Sequence, residues 1–242
     1  PKTGAFYYAS RQESPLRKAV YCTDKNGREK KLSTETGTNS AIFSQGLRYF
    51  MNVYSSAALP PVTTLRSAAD GKLLTTLVDN AALKQRIEPL LAQHEFFTFT
   101  TSEGVQLNGW MVKPRDFDPA KRYPVIMYQY GGPGSQQVLN SWRIGAAGQG
   151  ALLEQYMAQK GYIVVCVDNR GTGGRGADFE KCTYLKLGEL ESADQVEAAL
   201  YLGSLPWVDK DRIAIWGWSF GGFNTLMSMS EGRNAFCAGV AV

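Results

Sequence analysis

Gly217-Trp218-Ser219-Phe220-Gly221-Gly222 places a serine between glycines that stand two positions before and two positions after it. Arg212–Trp216, just before, has the apolar pattern of a short buried strand, and Phe223–Met229, just after, continues at helical spacing. A G-x-S-x-G sequence between a strand and a helix is typical of a nucleophile elbow, whose sharp turn exposes the serine hydroxyl. The alternative is a glycine-rich turn without chemistry. We predict that Ser219 is a catalytic nucleophile.

The elbow comes at the end of an alternation of strands and helices. Pro124–Tyr128 and Tyr162–Val167 are continuously apolar, whereas Ala151–Lys160 and Glu191–Leu205 have helical periodicity. Such an alternation indicates a mainly parallel sheet with helices on both faces, and the period-two pattern of residues 95–113 predicts a β-hairpin ahead of it. This is the layout of an α/β-hydrolase fold. In the first helix we expect four apolar side chains to face inward: Leu152, Leu153, Tyr156 and Met157.

The first 85 residues have a different pattern, with short apolar segments separated by turn signals such as Pro60-Pro61. Short strands at this spacing are typical of antiparallel sheets such as propeller blades. We therefore predict a division into residues 1–85, the C-terminal part of a β-propeller domain, and residues 86–242, the N-terminal portion of an α/β-hydrolase catalytic domain truncated after the elbow. The predicted strands of the first part are Ala5–Ala9, Lys18–Cys22, Ala41–Ser44, Tyr49–Tyr54 and Val62–Arg66.

The composition excludes several classes of protein. The 242 residues carry a net charge of +4, too mild and too scattered to indicate nucleic-acid binding, and no apolar segment is long enough to span a membrane. The four cysteines lack metal-ligand spacing, so we expect no metal and no cofactor, and we expect Cys166 to be a buried free thiol. The chain starts at Pro1, and Phe236–Val242 has the pattern of a core strand that stops without a turn. We therefore expect a piece of a longer protein.

An acyl-transferring serine needs a base and a group that orients the base. In α/β-hydrolases these follow the serine in the order Asp or Glu, then His. The chain contains one histidine, His94, which lies upstream of the predicted parallel sheet, and every aspartate also precedes Ser219. We expect His94 to be a hydrated linker residue rather than the base. The fragment is therefore predicted to be inactive by itself.

Two donors are predicted for the oxyanion of the tetrahedral intermediate. The first is the backbone N–H of Phe220, the residue after the nucleophile. The second is the hydroxyl of Tyr130, in the turn Tyr128–Gly134 that ends the first parallel strand. The alternative for Tyr130 is plain packing at the end of the strand.

Two polar segments suggest other chemistry but favour structural roles. Asp168–Gly176 is rich in glycine, yet it lacks the P-loop pattern and no helix is predicted directly after it, so we do not expect a nucleotide site. We expect Asp168 and Arg170 to tie this loop with charged hydrogen bonds. Three acids look like paired catalytic carboxylates, but we expect them to be a solvated helix start: Glu189, Glu191 and Asp194.

Together these motifs resemble the prolyl oligopeptidase family of serine peptidases, dipeptidyl peptidase IV type. The resemblance is carried by Tyr123–Gln136, Asp168–Gly173, Leu187–Gly188 with Asp194–Ala199, and Arg212–Gly222, which span most of residues 90–242. The family usually has tyrosine where this chain has Phe220, a change that a backbone donor tolerates. The resemblance implies a propeller ahead of the hydrolase domain, Ser219 as nucleophile, and Tyr130 and Phe220 as oxyanion donors.

The resemblance further implies release of Xaa-Pro or Xaa-Ala dipeptides from peptides with a free N-terminus, through an acyl-enzyme intermediate. The triad Asp and His and the groups that bind the substrate amine and proline ring map outside this sequence. The resemblance suggests an extracytoplasmic location and is compatible with a homodimer of the full-length protein. Two alternatives stay open. One is an acylaminoacyl-peptidase or esterase, and the other is a non-catalytic propeller-based binding protein.

Overall fold

In the computed structural model, which describes residues 4–142 and 152–242, two antiparallel sheets form before residue 91. The first sheet has three strands in chain order: β1 Phe6–Ser10, β2 Ala19–Thr23 and β3 Glu29–Lys31. The second has four, again in chain order: β4 Thr38–Phe43, β5 Tyr49–Ser56, β6 Leu59–Ser67 and β7 Leu73–Val78. A helix, α1 Ala81–Ile87, follows. The five predicted strands are confirmed, and sequence reasoning missed β3 and β7.

The prediction of a turn at Pro60-Pro61 is wrong. Both prolines lie inside β6, and the turn that joins β5 to β6 is Ala57-Ala58, three residues earlier. The pairing of β5 with β6 shifts register between Tyr54 and Ser56. Prolines are tolerated in a strand where the ladder is interrupted, because they cannot donate a ladder hydrogen bond.

The described residues up to Leu90 form one unit together with the segment Leu139–Trp142. Asn140 fixes this segment through its backbone N–H, which donates to Leu16 O at 2.8 Å, and its side-chain oxygen, which accepts from Ala57 N at 2.9 Å. The hydroxyl of Thr38 donates to Asn140 O at 3.0 Å. A short piece of chain that is distant in sequence is thereby part of the β-rich unit.

The second unit is built on a six-stranded mixed sheet in the order β13-β12-β10-β11-β9-β8. Its strands are β8 His94–Thr100, β9 Gln106–Val112, β10 Tyr123–Tyr128, β11 Ile163–Asp168, β12 Val208–Gly217 and β13 Ala238–Ala241. β8 and β9 form the predicted hairpin, and β9 joins β11 antiparallel. β10 pairs in parallel with both β11 and β12, and β12 pairs in parallel with β13. The mainly parallel α/β-hydrolase sheet after propeller-like antiparallel strands is therefore confirmed.

The core of this unit lies along the central strands. Val125, Met127, Ile163, Val165 and Ile215 are each at most 1% exposed. Because both faces of a central parallel strand are covered, a continuous apolar run replaces the alternation of a half-exposed strand. Cys166 is fully buried and free, as predicted, and burial raises the pKa of its thiol.

Among its described residues, this unit has four further helices: α2 Leu152–Gln159, α3 Ala177–Lys181, α4 Glu189–Gly203 and α5 Phe220–Met229. The inward face predicted for the first is largely wrong, because Leu152, Leu153 and Tyr156 are exposed and the buried side chains are Glu154, Gln155 and Ala158. The predicted start at Ala151 lies outside the described residues. The helix buries its polar face because Gln155 exchanges two hydrogen bonds with the backbone of Ala92.

The last strand also differs from the prediction. Ala238–Ala241 pairs in parallel with β12, but its residues are exposed, because β13 is the edge of the sheet. The apolar pattern of Phe236–Val242 identified the strand correctly and its burial incorrectly. An apolar groove of about 270 Å³ opens beside it, lined by Val240 and Trp216 and by Leu153 and Met157 of α2.

Candidate active site

Ser219 stands on a sharp turn between β12 and α5. β12 ends at Gly217 and α5 begins at Phe220, so two residues make the whole connection. Ser219 has φ 59° and ψ −119°, a backbone conformation that costs a non-glycine residue about 1–3 kcal/mol. Its side chain is exposed rather than packed in the core. A strained, exposed serine at a strand-to-helix turn is the geometry of a nucleophile elbow.

The elbow glycines are required by close backbone approach. A Cβ added at Gly217 would lie 2.5 Å from the carbonyl oxygen of Gln129, and one added at Gly221 would lie 2.4 Å from the same oxygen. Neither distance is compatible with a side chain. These two glycines therefore let the end of β10 pass directly against the elbow.

Tyr130 is brought to the elbow by strand pairing. β10 and β12 are adjacent and parallel, with Tyr128 opposite Trp216, so their carboxyl ends lie side by side. The ring centroids of Tyr130 and Phe220 are 6.2 Å apart. The backbone of Gly132 fits against both rings, since a Cβ there would lie 2.8 Å from Tyr130 Cε1 and 3.2 Å from Phe220 Cγ. The structure thus gathers Ser219, Phe220 and Tyr130 at one edge of the sheet.

The N-terminus of α5 supplies the electrostatics of this edge. Phe220 is the first helical residue, so its N–H has no partner within the helix. The aligned peptide dipoles of a helix place positive charge at that end. Negative charge that develops on an oxygen above Ser219 is therefore favoured there.

The loop after β11 has the structural role predicted for it. The Asp168 carboxylate accepts hydrogen bonds from the backbone of Gln137, at 2.9 Å, and of Val138, at 2.8 Å. Arg170 pairs with Asp194, and its Nη1 donates to Glu103 at 2.6 Å. Charged hydrogen bonds thus tie the loop to three other segments of the chain. Contrary to expectation, a helix does begin directly after Gly176, although α3 is only five residues long.

The expectation of a solvated helix start holds for Glu189 and is wrong for Glu191 and Asp194, which are both 0% exposed. Asp194 is held by Arg170, and Glu191 accepts from the backbone N–H of Gly188 at 2.9 Å. Burial raises the pKa of both carboxyls, against the opposing effect of their hydrogen bonds. Sequence spacing could not reveal this burial, because it depends on the segments that pack over the helix.

His94 is not a hydrated linker and does not precede the sheet. It is the first residue of β8, and its partly buried ring meets the edge of Trp110 at a centroid distance of 5.2 Å. Burial lowers the pKa of His94 to about 4. β8 is separated from β12 by three strands, so the structure does not bring His94 to Ser219.

Sequence reasoning gave no role to the polar residues behind the elbow. Gln129 and Asn224 are both fully buried and hydrogen-bonded to each other, and Asn169 donates to Gly131 O at 3.1 Å. The available signal was a glutamine directly after an apolar strand and directly before Tyr130. Buried amides at such a position require partners, and the sequence did not show which.

The described residues also bear on metal binding and on membrane spanning. Within residues 4–142 and 152–242, no three His, Cys, Asp or Glu side chains are grouped closely enough to hold a metal ion. None of the helices in those ranges has both the length and the apolar character needed to cross a bilayer.

In comparisons with known proteins, both parts of the chain match models of dipeptidyl peptidase IV-related families. Residues 151–242 match the model of the prolyl oligopeptidase family, and residues 1–61 match the model of the dipeptidyl peptidase IV N-terminal region. A probable dipeptidyl-aminopeptidase B of Sclerotinia sclerotiorum is 35% identical over the whole chain, and the dipeptidyl-aminopeptidase B of Aspergillus niger is 34% identical. The crystal structure of Porphyromonas gingivalis dipeptidyl peptidase 4 superposes on 99% of the chain with a TM-score of 0.93 and 49% identity.

These relatives are longer than this chain. It spans 26% of the Sclerotinia protein, 27% of the Aspergillus protein and 33% of the Porphyromonas chain. The similarity therefore extends over all of the present sequence and over a fraction of each relative.

Proposed function

The chain belongs to the prolyl oligopeptidase family, and from that membership we propose that the full-length protein is a serine peptidase that releases N-terminal dipeptides. The proposed substrates are peptides with a free N-terminus and Pro or Ala at the second position. Residues 1–85 are proposed to be the C-terminal part of its propeller and residues 86–242 the first portion of its catalytic domain. We also propose that the full-length protein forms a homodimer, which sedimentation equilibrium would test.

The geometry around Ser219 is the main support for this proposal. Ser219 is exposed on a strained turn at the N-terminus of α5, with Tyr130 from the adjacent strand beside Phe220. A structural turn has no need to hold a serine at positive φ, where glycine would cost less. The strain is explained if the hydroxyl must point at a substrate.

The proposed reaction starts with attack of Ser219 Oγ on the carbonyl carbon after the second residue. The serine proton passes to a base, and the carbonyl oxygen becomes an oxyanion that the Phe220 N–H and the Tyr130 hydroxyl stabilise. The C–N bond then breaks, the proton passes to the departing amine, and a dipeptidyl ester remains on Ser219. Water cleaves this ester by the reverse sequence of proton transfers.

The described residues do not place the base at the elbow. His94 lies on the strand at the other end of the sheet from β12 and β13, and burial keeps it neutral above about pH 4. We therefore propose that residues 1–242 by themselves do not turn over substrate. In subtilisin, an unrelated serine peptidase, loss of the catalytic histidine costs about 10⁶ in kcat.

A substrate panel tests the proposal on the full-length protein. We expect rapid hydrolysis of Gly-Pro-p-nitroanilide, and labelling by a fluorophosphonate probe, both abolished by Ser219→Ala. Ser230→Ala is a matched control, because Ser230 is an exposed serine at the other end of α5 and should leave both signals unchanged.

Other results would point to the alternatives. Preferential cleavage of acetyl-Ala-p-nitroanilide would indicate an acylaminoacyl-type peptidase, and cleavage of simple esters alone would indicate an esterase. Absence of fluorophosphonate labelling in the folded full-length protein would reject the nucleophile and favour a propeller-based binding protein.

A further inference from the structure

A buried cluster of amides joins the two proposed oxyanion donors from behind. Gln129 directly precedes Tyr130 and is 0% exposed. Its side-chain Nε2 donates to Gly221 O at 2.5 Å and to Thr225 Oγ1 at 3.0 Å, and its Oε1 accepts from Asn224 Nδ2 at 2.9 Å. One side chain at the end of β10 therefore makes three hydrogen bonds to α5.

The chemistry of the partners fixes the orientation of this amide. Gly221 O is a carbonyl and can only accept, so the NH₂ end of Gln129 must face it. That leaves Oε1 for the NH₂ group of Asn224. A side chain that cannot be reversed without losing these bonds is held in a single position.

The backbone around Tyr130 is fixed on its other side as well. Asn169 Nδ2 donates to Gly131 O, and Asn169 Oδ1 accepts from Gln195 Nε2 at 3.0 Å. A Cβ at Gly131 would lie 2.4 Å from Asn169 Oδ1 and 2.8 Å from Asn224 Nδ2. Tyr130 is thus held between two buried amide clusters.

We propose that Gln129 is a positioning residue for acyl transfer, which sets the distance between the Tyr130 hydroxyl and the Phe220 N–H. The inference rests on the proposed function, since it concerns the same oxyanion. Gln129 is bonded to the residue after Phe220 and adjoins Tyr130 in the chain, so it is the shortest side-chain connection between the two donors. Among the described residues, a backbone hydrogen bond from Gln129 N to Trp216 O also ties the end of β10 to β12, one strand residue before the elbow, but it does not reach α5 itself.

This role follows from how oxyanion donors work. Their effect depends on preorganisation, because the donors must already point at the charge when it forms. A displacement of about 1 Å can cost about a hundredfold in rate. A buried amide with all its bonds directed at α5 restricts such displacement more than an apolar side chain of the same size.

Gln129→Met in the full-length protein removes the three hydrogen bonds and keeps the side-chain length. With Gly-Pro-p-nitroanilide we expect kcat to fall about tenfold to a hundredfold with KM within about twofold of wild type. The same substitution should cost less than about threefold in a Tyr130→Phe background, because a hydroxyl that is absent cannot be displaced. Gln155→Met is the matched control: Gln155 is 5% exposed and bonded twice to Ala92, away from the elbow, and kcat should not change.

A second variant keeps the test decisive if Gln129→Met does not fold. Thr225→Val removes one partner of Gln129 without changing β10, and it should lower kcat about threefold to tenfold in the wild type and not in Tyr130→Phe. An unchanged kcat, or an equal loss in both backgrounds, would overturn the positioning role. Retained activity in Ser219→Ala would instead reject the peptidase itself, so the two failures are distinguishable.

Discussion

Arg170 donates to both carboxylate oxygens of Asp194, through Nη2 at 2.7 Å, through Nε at 3.0 Å and through its backbone N–H at 2.7 Å. Asp194 is 0% exposed, and Glu103 holds the outer side of the guanidinium. The pair fastens the loop after β11 to α4. Asn169, the residue before Arg170 in this loop, donates to Gly131 O in the turn that contains Tyr130.

Asp194→Asn should therefore destabilise the protein strongly, because it leaves a largely buried guanidinium without its main counter-charge. We expect the free energy of unfolding to fall by about 3 kcal/mol in urea unfolding at pH 7. Glu189→Gln, an exposed acid on the same helix, should change it by less than about 0.5 kcal/mol. Equal effects of the two substitutions would show that the pair does not hold the loop.

Gly221→Ala tests the close approach of β10 to the elbow. The new methyl group would lie 2.4 Å from Gln129 O, so backbone must move. We expect a loss of about 2 kcal/mol in stability and the disappearance of fluorophosphonate labelling. Gly46→Ala is the control, since a Cβ there meets no atom closer than 4.0 Å, and it should be neutral. A labelled, stable Gly221→Ala variant would contradict the packing described for the elbow.

The burial of His94 should make the free energy of unfolding depend on pH. Its pKa is lowered from 6.5 to about 4, so the unfolded chain binds the proton first as the pH falls. The free energy of unfolding is therefore unaffected by protonation of His94 above about pH 6.5, and it falls progressively as the pH drops from 6.5 to about 4. Between pH 7.5 and 5.0 this residue should cost up to about 2 kcal/mol.

The measurement is the difference in unfolding free energy between these two pH values, compared with His94→Gln. The variant should lose less stability on acidification, because other titrating groups contribute equally to both proteins. A larger loss in the variant would mean that the folded protein favours the charged imidazole.

The two oxyanion donors should respond differently to substitution. Tyr130→Phe removes a side-chain hydroxyl and should lower kcat for Gly-Pro-p-nitroanilide about 10²-fold to 10³-fold. Phe220→Tyr keeps the backbone N–H and should leave kcat within about twofold. Steady-state kinetics on the full-length protein measures both. A large loss in Phe220→Tyr with little effect of Tyr130→Phe would reverse the assignment.

Local patterns predicted much of this fold. Continuous apolar segments identified β10, β11 and the second half of β12. β11 is buried along its whole length, as expected for a central strand that is covered on both faces. The pattern was less informative for α2, where Gln155 is buried by its bonds to Ala92 and Leu152 is exposed. Helical periodicity shows that the two faces of a helix differ in polarity. Which of the two faces is buried depends on the segments that pack against the helix.

By itself, the sequence determined that a serine stands between a strand and a helix, with glycines where backbone must pass, because these depend on neighbours a few positions apart. The tertiary structure alone decided which distant residues meet Ser219 and Tyr130. The amide of Gln129 reaches α5, more than ninety positions along the chain, because parallel pairing of β10 with β12 brings their carboxyl ends together. Burial likewise turned Asp194 from an expected solvent-exposed group into a buried one, and His94 into a partly buried one, since burial is a property of packing between segments.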